Sequence, residues 1–476
     1  MKIPANAASR RSRSLSSRAT GMVLGALAGI ALLLTGGVAV ADRLGAGADR
    51  DTGPLIEVAH VPPFLREAAD PPQLRYDISC AAPRPESESV APCEAAGTVH
   101  VRPGDAGAFR AVPLRLDGQA VEGRYVADVP AEIAGSPSGF SYYAVVRDSA
   151  SGAETTIPAG GSAAPQRSWP LVRPVSVTLG AHVFGHVQAA DRRVAAAPWG
   201  EGEAAVGLED GPQTTPIGAS SFDVDSSGRV TVLDEAHRRL LRFAPGGGKP
   251  TAVPIAVHGT IADLAISADG TSYVLETAGQ QAGESLLVRR FASDGTAKGA
   301  WHTAERTASA LRIGPGGPVA LSYPATEWMP VASGSAPLDR HAQLQRATAG
   351  RPLAAGGGAL VVFRSGNEAR VAIVGRHGVR HSWRVSSETP IAEVQLAEPV
   401  GSRLVLVLRV YTDSRDEFVA LVLDGHGIVR QFSLDSADWA ETAPLARFRL
   451  VGPSLYQLGS TPAGMFVDRF ELGVSK

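Results

Sequence analysis

Side chains that could bind a metal or transfer a proton lie in segments that connect short apolar runs. Carboxylates and imidazole are common general acids and bases and common metal ligands, and tryptophan combines a large apolar surface with a hydrogen-bond donor. We select eight residues as candidate binding residues: Asp234, Glu235, His237, Glu276, Glu327, Trp328, Asp413 and Asp416. None of them forms a recognisable catalytic set, and we predict no metal site and no cofactor.

Two patterns resemble metal sites but do not fit their surroundings. Residues 223–234 have the acid spacing of a calcium loop, but that loop requires flanking helices, and Val224, Val230 and Val232 alternate as in strands. We therefore predict a hairpin turn there. His182 and His186 would share a metal on a helix; in the strand that the neighbouring valines predict, they would be about 13 Å apart.

Composition limits the class of protein. The chain has 476 residues, of which 44% are hydrophobic and 19% charged, and this apolar fraction is too high for a disordered chain. The formal net charge of −2 combines +5 before Asp42 with −7 in the remainder. Arginine is dispersed over an acidic body without interleaved aromatics, so we predict no nucleic-acid partner.

The N-terminus predicts export. Residues 1–20 are basic, and Gly21–Ala41 is a run of 21 uncharged residues that ends in Ala39-Val40-Ala41 before Asp42. The ending suits signal-peptide cleavage, whereas the length suits an uncleaved membrane anchor helix. Both alternatives, for residues 1–41, place the rest of the chain outside the cytoplasm, either secreted or anchored in the cell membrane.

Residues 55–160 follow a linker at 42–54 and predict a small β-sandwich. Short runs with a period of two, such as Leu74–Cys80 and Phe140–Val146, are separated by turn residues every 8–15 positions. The block resembles an immunoglobulin- or fibronectin-like module. Cys80 and Cys93, in an exported chain, predict a disulfide. Residues 161–174 are rich in Gly, Ala and Pro and predict a second linker.

Residues 175–476 contain a repeat. Asp223-Val224-Asp225-Ser226-Ser227-Gly228 and its following strand recur 42 residues later, with Gly228, Leu233 and Asp234 matched by Gly270, Leu275 and Glu276. Looser copies place unit starts at 222, 264, 311, 353, 394 and 448. Six units of about 45 residues, each with up to four strands, predict a six-bladed β-propeller, and the whole chain is then all-β apart from the N-terminal helix.

The first unit resembles an NHL repeat. Residues 232–243 match that family's strand, its Asp and Arg and its closing aromatic, although His237 stands where Asn is usual and later units lose the Asp–Arg pair. The resemblance implies a six-bladed propeller that commonly acts as a binding scaffold. The last unit lacks a fourth strand, and we predict that Pro174–Val187 supplies it and closes the ring.

Strand order predicts which end of the ring acts. The loops between second and third strands lie at one end and are longer and more charged than the turns at the other. They are predicted at Asp234–His237, Glu276–Glu284, Pro324–Gln345, Gly366–Glu368 and Tyr411–Glu417. The leading hypothesis is a non-enzymatic exported protein that binds a protein or glycan of the cell envelope there. The alternatives are a propeller lyase or lactonase using Asp234, Glu276 and Asp413, and an envelope spacer.

Overall fold

The computed structural model describes most of the chain after residue 54. The described residues are 38–40, 55–67, 72–81, 90–92, 95–118, 123–211, 214–276, 286–304, 308–322, 327–354, 357–443 and 445–473. The predicted signal or anchor helix therefore lies outside them, except for Val38–Val40, which is a strand. No helix among the described residues is long and apolar enough to cross a membrane.

Two sheets form the N-terminal domain. The first contains β1 (Val38–Val40), β2 (Leu55–Ala59), β4 (Gln73–Ala81), β5 (Val90–Pro92), β8 (Arg115–Leu116) and β9 (Arg124–Asp128). The second contains β3 (Leu65–Glu67), β6 (Ala95–Pro103), β7 (Arg110–Pro113), β10 (Phe140–Asp148), β11 (Glu154–Ile157) and β12 (Gln166–Leu171). Helix α1 (Ala131–Ala134) lies between β9 of the first sheet and β10 of the second, and a 3₁₀ turn at Gly161–Ala163 lies between β11 and β12 of the second sheet.

The two sheets share one core, as a sandwich requires. Leu74 and Tyr76 from the first sheet pack with Phe140 and Tyr142 from the second, and all four side chains are fully buried. Alternate residues of these strands point inward, which is the period of two in the sequence. Membership of the immunoglobulin- or fibronectin-like family stays a prediction.

Two sequence expectations for this region have different outcomes. The segment 161–174 was expected to be a linker, but it contains β12, which pairs with β10 and with β3; Trp169 and Leu171 supply the apolar side chains that hold it in place. Cys80 lies in β4, whereas Cys93 lies outside the described residues, so the disulfide stays a prediction.

Seven further sheets lie in the described part of residues 175–473, and we number the six that have three or more strands as blades 1 to 6 in chain order. Blade 1 contains β15 (Ala219–Val224), β16 (Val230–Asp234), β17 (Arg239–Phe243) and β18 (Thr251–Pro254). Blade 2 contains β19 (Ile261–Ile266), β20 (Ser272–Glu276), β21 (Leu287–Phe291) and β22 (Ala297–His302). Blade 3 contains β23 (Ala308–Gly314), β24 (Gly317–Ser322) and β25 (Trp328–Pro330). A hairpin of β26 (Ala332–Ser333) and β27 (Ala336–Pro337) and helix α2 (Arg340–Gln345) follow blade 3.

Two of the remaining three blades include a strand that precedes blade 1 in the chain. Blade 4 contains β28 (Arg351–Pro352), β29 (Ala359–Ser365), β30 (Glu368–Gly375) and β31 (Gly378–Ser386), with β13 (Val175–Thr178) added in parallel on the outside. Blade 5 contains β32 (Ile391–Val400), β33 (Arg403–Tyr411), β34 (Asp416–Leu423) and β35 (Ile428–Asp435). Blade 6 contains β36 (Phe448–Val451), β37 (Ser454–Thr461) and β38 (Gly464–Glu471), completed by β14 (Arg192–Pro198).

The repeat frame in the sequence agrees with these sheets. Five of the six predicted starts fall inside the first strand of a blade, and residue 353 directly follows β28. The matching glycines, Gly228 and Gly270, both have φ of +82° in the turn after the first strand, a conformation that glycine adopts without strain. The sheets confirm a β-propeller.

The closing strand was assigned to the wrong segment. Blade 6 does take its fourth strand from residues before blade 1, but that strand is Arg192–Pro198 and not Pro174–Val187. Both segments alternate apolar and polar residues, so periodicity cannot choose between them. Val175–Thr178 pairs with β31 of blade 4 instead, and Val187 makes one parallel bridge to Ser433 of blade 5. The segment 175–198 thus joins the outer edges of blades 4, 5 and 6.

Hydrophobic clusters join neighbouring blades at five junctions. They link blade 6 with 1, 1 with 2, 2 with 3, 4 with 5, and 5 with 6. Blade 4 is different on the side away from blade 5. There Val361, Ala372 and Val374 pack against Phe64, Leu65, Trp169 and Leu171 of the sandwich. Arg384 of β31 also forms an ion pair with Glu67, at 3.1 Å. The sandwich therefore occupies the side of blade 4 that a regular ring would turn toward blade 3.

Candidate functional site

Asp234, at the end of β16, is fully buried and surrounded by donors. Its Oδ1 accepts a hydrogen bond from the Gly207 amide at 3.0 Å, and its Oδ2 lies 2.8 Å from both Arg239 Nε and His237 Nδ1. Gly207 belongs to the connection between β14 and β15, which crosses this end of the ring. Asp234 and Arg239 thus attach that connection to blade 1, so the Asp234 carboxylate has a structural role.

The two neighbours of Asp234 have similar positions. His237 Nε2 lies 3.0 Å from Glu201 Oε2, whose side chain is 94% exposed, so solvent screens this pair. Glu235 accepts a hydrogen bond from the Ile261 amide at 3.0 Å, across to blade 2, and burial raises the pKa of its carboxyl group. The structure brings these three predicted residues together, but in contacts that join chain segments.

Glu276 occupies the corresponding position in blade 2. It is buried at the end of β20, accepts hydrogen bonds from the His258 and Gly259 amides, and forms an ion pair with Arg289. Burial raises the pKa of Glu276, but Arg289 and the two amides outweigh burial and lower it overall. Blade 2 thus keeps an acid–Arg pair, which the sequence had indicated as lost, because the arginine lies thirteen residues further along.

The two acids predicted in the loop of blade 5, Asp413 and Asp416, have different surroundings. Asp416 lies 2.7 Å from Arg409 Nη2, on the neighbouring strand β33. Asp413 is exposed in the loop between β33 and β34. In the described residues no group of three or more His, Cys, Asp or Glu could hold a metal ion.

Of the two neighbours Glu327 and Trp328, only Trp328 lines a cavity. Both are half-buried at the start of β25, and Trp328 lines a cavity of about 290 Å³ beside blades 3, 4 and 5. Most of the predicted Pro324–Gln345 loop follows β25 and is not a second-to-third connection. Only the residues before Trp328 connect the second strand to the third.

The cavity, called here the junction cavity, is bordered by blades 3, 4 and 5 and by the sandwich. Strand β28 is only two residues long, so the inner side of β29 is not covered by a full first strand as in other blades. The lining includes Phe64 of the sandwich, Trp328 of blade 3, Arg351, Phe363 and Arg364 of blade 4, and Glu393 of blade 5. Polar and aromatic groups thus converge from two domains on one concave site.

Glu393 was not predicted, and it has the most unusual surroundings in the cavity. It lies on β32, the innermost strand of blade 5, directly across from Arg409 on β33. Burial raises its pKa, although Arg409, the hydrogen bond from Gln395 and Arg364 act in the opposite direction. Part of its surface stays open to the cavity although protein atoms surround it on most sides. Glu393 is one of two acids in β32, and neither its position nor its spacing gave a signal in the sequence.

A second unpredicted feature is a charge network among the innermost strands. Asp263 of β19 is fully buried and accepts hydrogen bonds from Ser221 Oγ at 2.6 Å, Arg449 Nη2 at 2.9 Å, Arg312 Nη1 at 2.7 Å and the Leu311 amide at 2.8 Å. These donors belong to blades 1, 6 and 3. The network therefore joins four successive blades. The only sequence signal was a charge within a strand otherwise composed of apolar residues.

His182 and His186 border another cavity, of about 300 Å³, above blade 5. His182 Nε2 lies 2.8 Å from Glu417 Oε2, and the Gly185 amide donates to Glu417 Oε1 at 2.6 Å. The residues are neither helical nor in a regular strand. Glu417 thus holds the connection between β13 and β14 against blade 5.

The described residues define a two-domain all-β protein, in which a β-sandwich is packed against a β-propeller and a cavity lies beside their junction. No protein-family profile matches the chain, and no curated protein matches it.

Solved structures show distant likeness. A protein from Bacteroides fragilis, described as exported, has a TM-score of 0.36 and 7% identity, covering 62% of this chain and 99% of that chain. Virginiamycin B lyase from Staphylococcus aureus has a TM-score of 0.34 and 10% identity, covering 53% and 95%. The PQQ-bound aldose sugar dehydrogenase from Streptomyces coelicolor has a TM-score of 0.31 and 12% identity, covering 59% and 97%. At these scores the sheets and cores of the chain itself define the fold.

Proposed function

We propose that the protein is an exported or membrane-anchored, non-enzymatic binding protein that holds a glycan in the junction cavity. The observation that carries the proposal is the convergence of Trp328, Phe363, Arg364 and Glu393 on one concave site between blades. Ligand sites are typically clefts with apolar and aromatic walls and a few polar groups that orient the ligand. The basic leader and the apolar segment Gly21–Ala41 support a place at the cell envelope.

The size of the cavity favours a glycan over a protein partner. A volume of about 290 Å³ is at the small end for ligand sites, which suits one sugar residue with the rest of the chain extending outward. A stable protein interface instead needs roughly 800 Å² from each partner. Sugar rings present hydroxyl groups at their edge and C–H groups on their faces, and charged side chains beside tryptophan and phenylalanine complement both.

The lyase or lactonase alternative has less support. It needs carboxylates that are available to a substrate or a metal. Asp234 and Glu276 are buried and engaged by arginines and backbone amides, so their negative charge is already compensated within the fold. Asp413 is exposed in a loop outside the cavity lining. The spacer alternative does not account for polar groups that converge on a cavity.

Replacing Trp328 by alanine is expected to weaken glycan binding about tenfold or more. The side chain lines the cavity, and large aromatic groups at the centre of a site carry much of the binding free energy. Binding of the full-length chain to an array of neutral, amine-bearing and carboxylate-bearing glycans identifies the ligand. Calorimetric titration then compares the variant with the unsubstituted protein.

Trp439→Ala is the matched control, because Trp439 is also half-buried but lies between blades 5 and 6, outside the cavity lining. It should leave the affinity within about twofold. Equal affinity for the unsubstituted protein and for Trp328→Ala, or the absence of binding to every glycan on the array, contradicts the proposal.

A further inference from the structure

Glu393 is a carboxylate in a confined site without a cation of its own. Its one side-chain hydrogen bond in the described structure comes from Gln395 Nε2, at 2.5 Å. No lysine or arginine nitrogen among the described residues lies within ion-pair distance of it. Removing a carboxylate from water without pairing it is costly, and a ligand that brings a positive charge would recover part of that cost.

The nearest arginine on the same sheet is held by other carboxylates. Arg409 lies opposite Glu393 in the register, but its Nη2 lies 2.7 Å from Asp416 and 3.9 Å from Asp438. One guanidinium is therefore bordered by three acids, counting Glu393. Arg409 is therefore shared with two other carboxylates and is not an exclusive partner of Glu393.

The other charges near Glu393 are also engaged. Arg364 donates from Nη1 to the carbonyls of Gly366 and Ile391, at 3.3 and 3.2 Å, and is exposed, so solvent screens its charge. Elsewhere in the lining, Arg351 is paired with Glu398, and Arg312 with Asp263 at 2.7 Å. Glu393 is left as the acid in the lining without an ion-pair partner.

We propose that Glu393 binds a protonated amine of the ligand, so that the junction cavity selects an amine-bearing sugar unit. The inference rests on the proposed function, since it concerns the same cavity. Burial raises the pKa of Glu393, and a bound ammonium group would lower it again, because the opposite charge favours the ionised carboxyl group. Trp328 and Phe363 in the lining can contact the apolar faces of the sugar ring.

Three disaccharides with the same backbone test the inference: chitobiose with amines at C2, diacetylchitobiose with acetamides, and cellobiose with hydroxyls. Calorimetric titration of the full-length chain should show chitobiose binding about tenfold or more tightly than the other two. In Glu393→Gln this preference should fall to about twofold or less, while the affinity for cellobiose changes little. Glu388→Gln, an exposed residue outside the cavity lining, is the matched control and should keep the full preference.

The pH dependence provides a second readout. Because only the ionised carboxylate pairs with an ammonium group, the affinity for chitobiose should rise with pH as Glu393 ionises, as long as the pH stays below the roughly 7.7 pKa of an ordinary α-amine and the amine keeps its proton. Glu393→Gln should lose that rise.

The failures of the two proposals are distinguishable. If the three disaccharides bind equally well to the unsubstituted protein and to Glu393→Gln, the role of Glu393 is wrong and glycan binding stands. If no disaccharide binds and the glycan array is empty, both proposals are wrong. Glu393→Gln removes an unpaired charge and keeps the side-chain shape, so an unchanged melting temperature should confirm that it folds.

Discussion

Replacing Asp263 by asparagine is expected to lower the free energy of unfolding by about 3–5 kcal/mol, the range found when one partner of a buried ion pair is removed. Asp263 is fully buried between Arg449 and Arg312, and asparagine fills the same space without the charge. Both guanidinium groups would then lose a buried counter-ion. Asp223 lies farther from the network, with 3.8 Å between its Oδ1 and Arg449 Nε.

The effect should spread around the ring, because Asp263 and its partners come from four blades. Urea unfolding, monitored by tryptophan fluorescence, should show the loss of stability as a lower denaturation midpoint. Asp413→Asn is the matched control: the residue is exposed, and its substitution should change stability by no more than about 0.5 kcal/mol. A loss below about 1 kcal/mol for Asp263→Asn would contradict a stabilising role for the network.

Stability is expected to fall by up to about 3 kcal/mol as the pH decreases from about 6.5 to about 4, owing to His60. Burial lowers the pKa of His60 from 6.5 to about 4, only partly opposed by its hydrogen bond to the Arg75 carbonyl. Between these pH values the unfolded chain binds a proton that the folded protein does not, so stability increases with pH across the window. The contribution is complete above about pH 6.5 and lost near pH 4.

The contacts of His60 explain why it stays neutral. Nδ1 lies 2.6 Å from the Arg75 carbonyl and therefore carries the proton, and Nε2 accepts from the Tyr142 hydroxyl at 2.8 Å. The ring stacks on Tyr76, with centroids 4.2 Å apart. Protonating Nε2 would place a positive charge inside the sandwich core and would require Tyr142 to turn its hydroxyl proton away.

Unfolding in urea at several pH values measures this dependence. In His60→Gln the slope between pH 4 and 6.5 should become shallower by up to roughly 1.4 kcal/mol per pH unit, whatever its absolute stability. His426→Gln, in an exposed turn, should keep the original slope. If His60→Gln retains that slope too, another group causes the pH dependence.

The packing of the sandwich against blade 4 has a consequence for binding. Phe64 contributes both to the core between the domains and to the lining of the junction cavity. The sandwich therefore forms part of the proposed ligand site and is more than a support for the propeller. The sequence does not indicate this contact, since each domain has its own periodic pattern.

Elements that follow from local periodicity were predictable. The repeat that matches Gly228 with Gly270 and Asp234 with Glu276 identified the blades. Each blade repeats the same strand–turn–strand unit and therefore requires the same residue types. The runs at Leu74–Cys80 and Phe140–Val146 identified the sandwich in the same way. The candidate acids were also found at the ends of strands, where the frame placed them.

The roles of those acids were decided by partners that are distant in the sequence. Asp234 is satisfied by Gly207, 27 residues earlier, and Asp263 by Arg449, 186 residues later. A carboxylate that could bind a ligand and one that holds two chain segments together look alike until these partners are known. Trp328 was selected because of its loop, but its place in a cavity depends on blades 4 and 5.

By itself the sequence determined the all-β composition, the two-domain order and the repeat, because hydrophobic periodicity and turn glycines are local properties of the chain. Only the tertiary structure decided which segment closes the ring, which acids are neutralised, and where the cavity lies. Closure depends on a choice between two similar strands, Val175–Thr178 and Arg192–Pro198, and that choice is made by packing. The cavity depends on a two-residue strand, Arg351–Pro352, and on a sandwich edge more than 280 residues earlier. Both are long-range effects, and the pattern of neighbouring residues does not contain them.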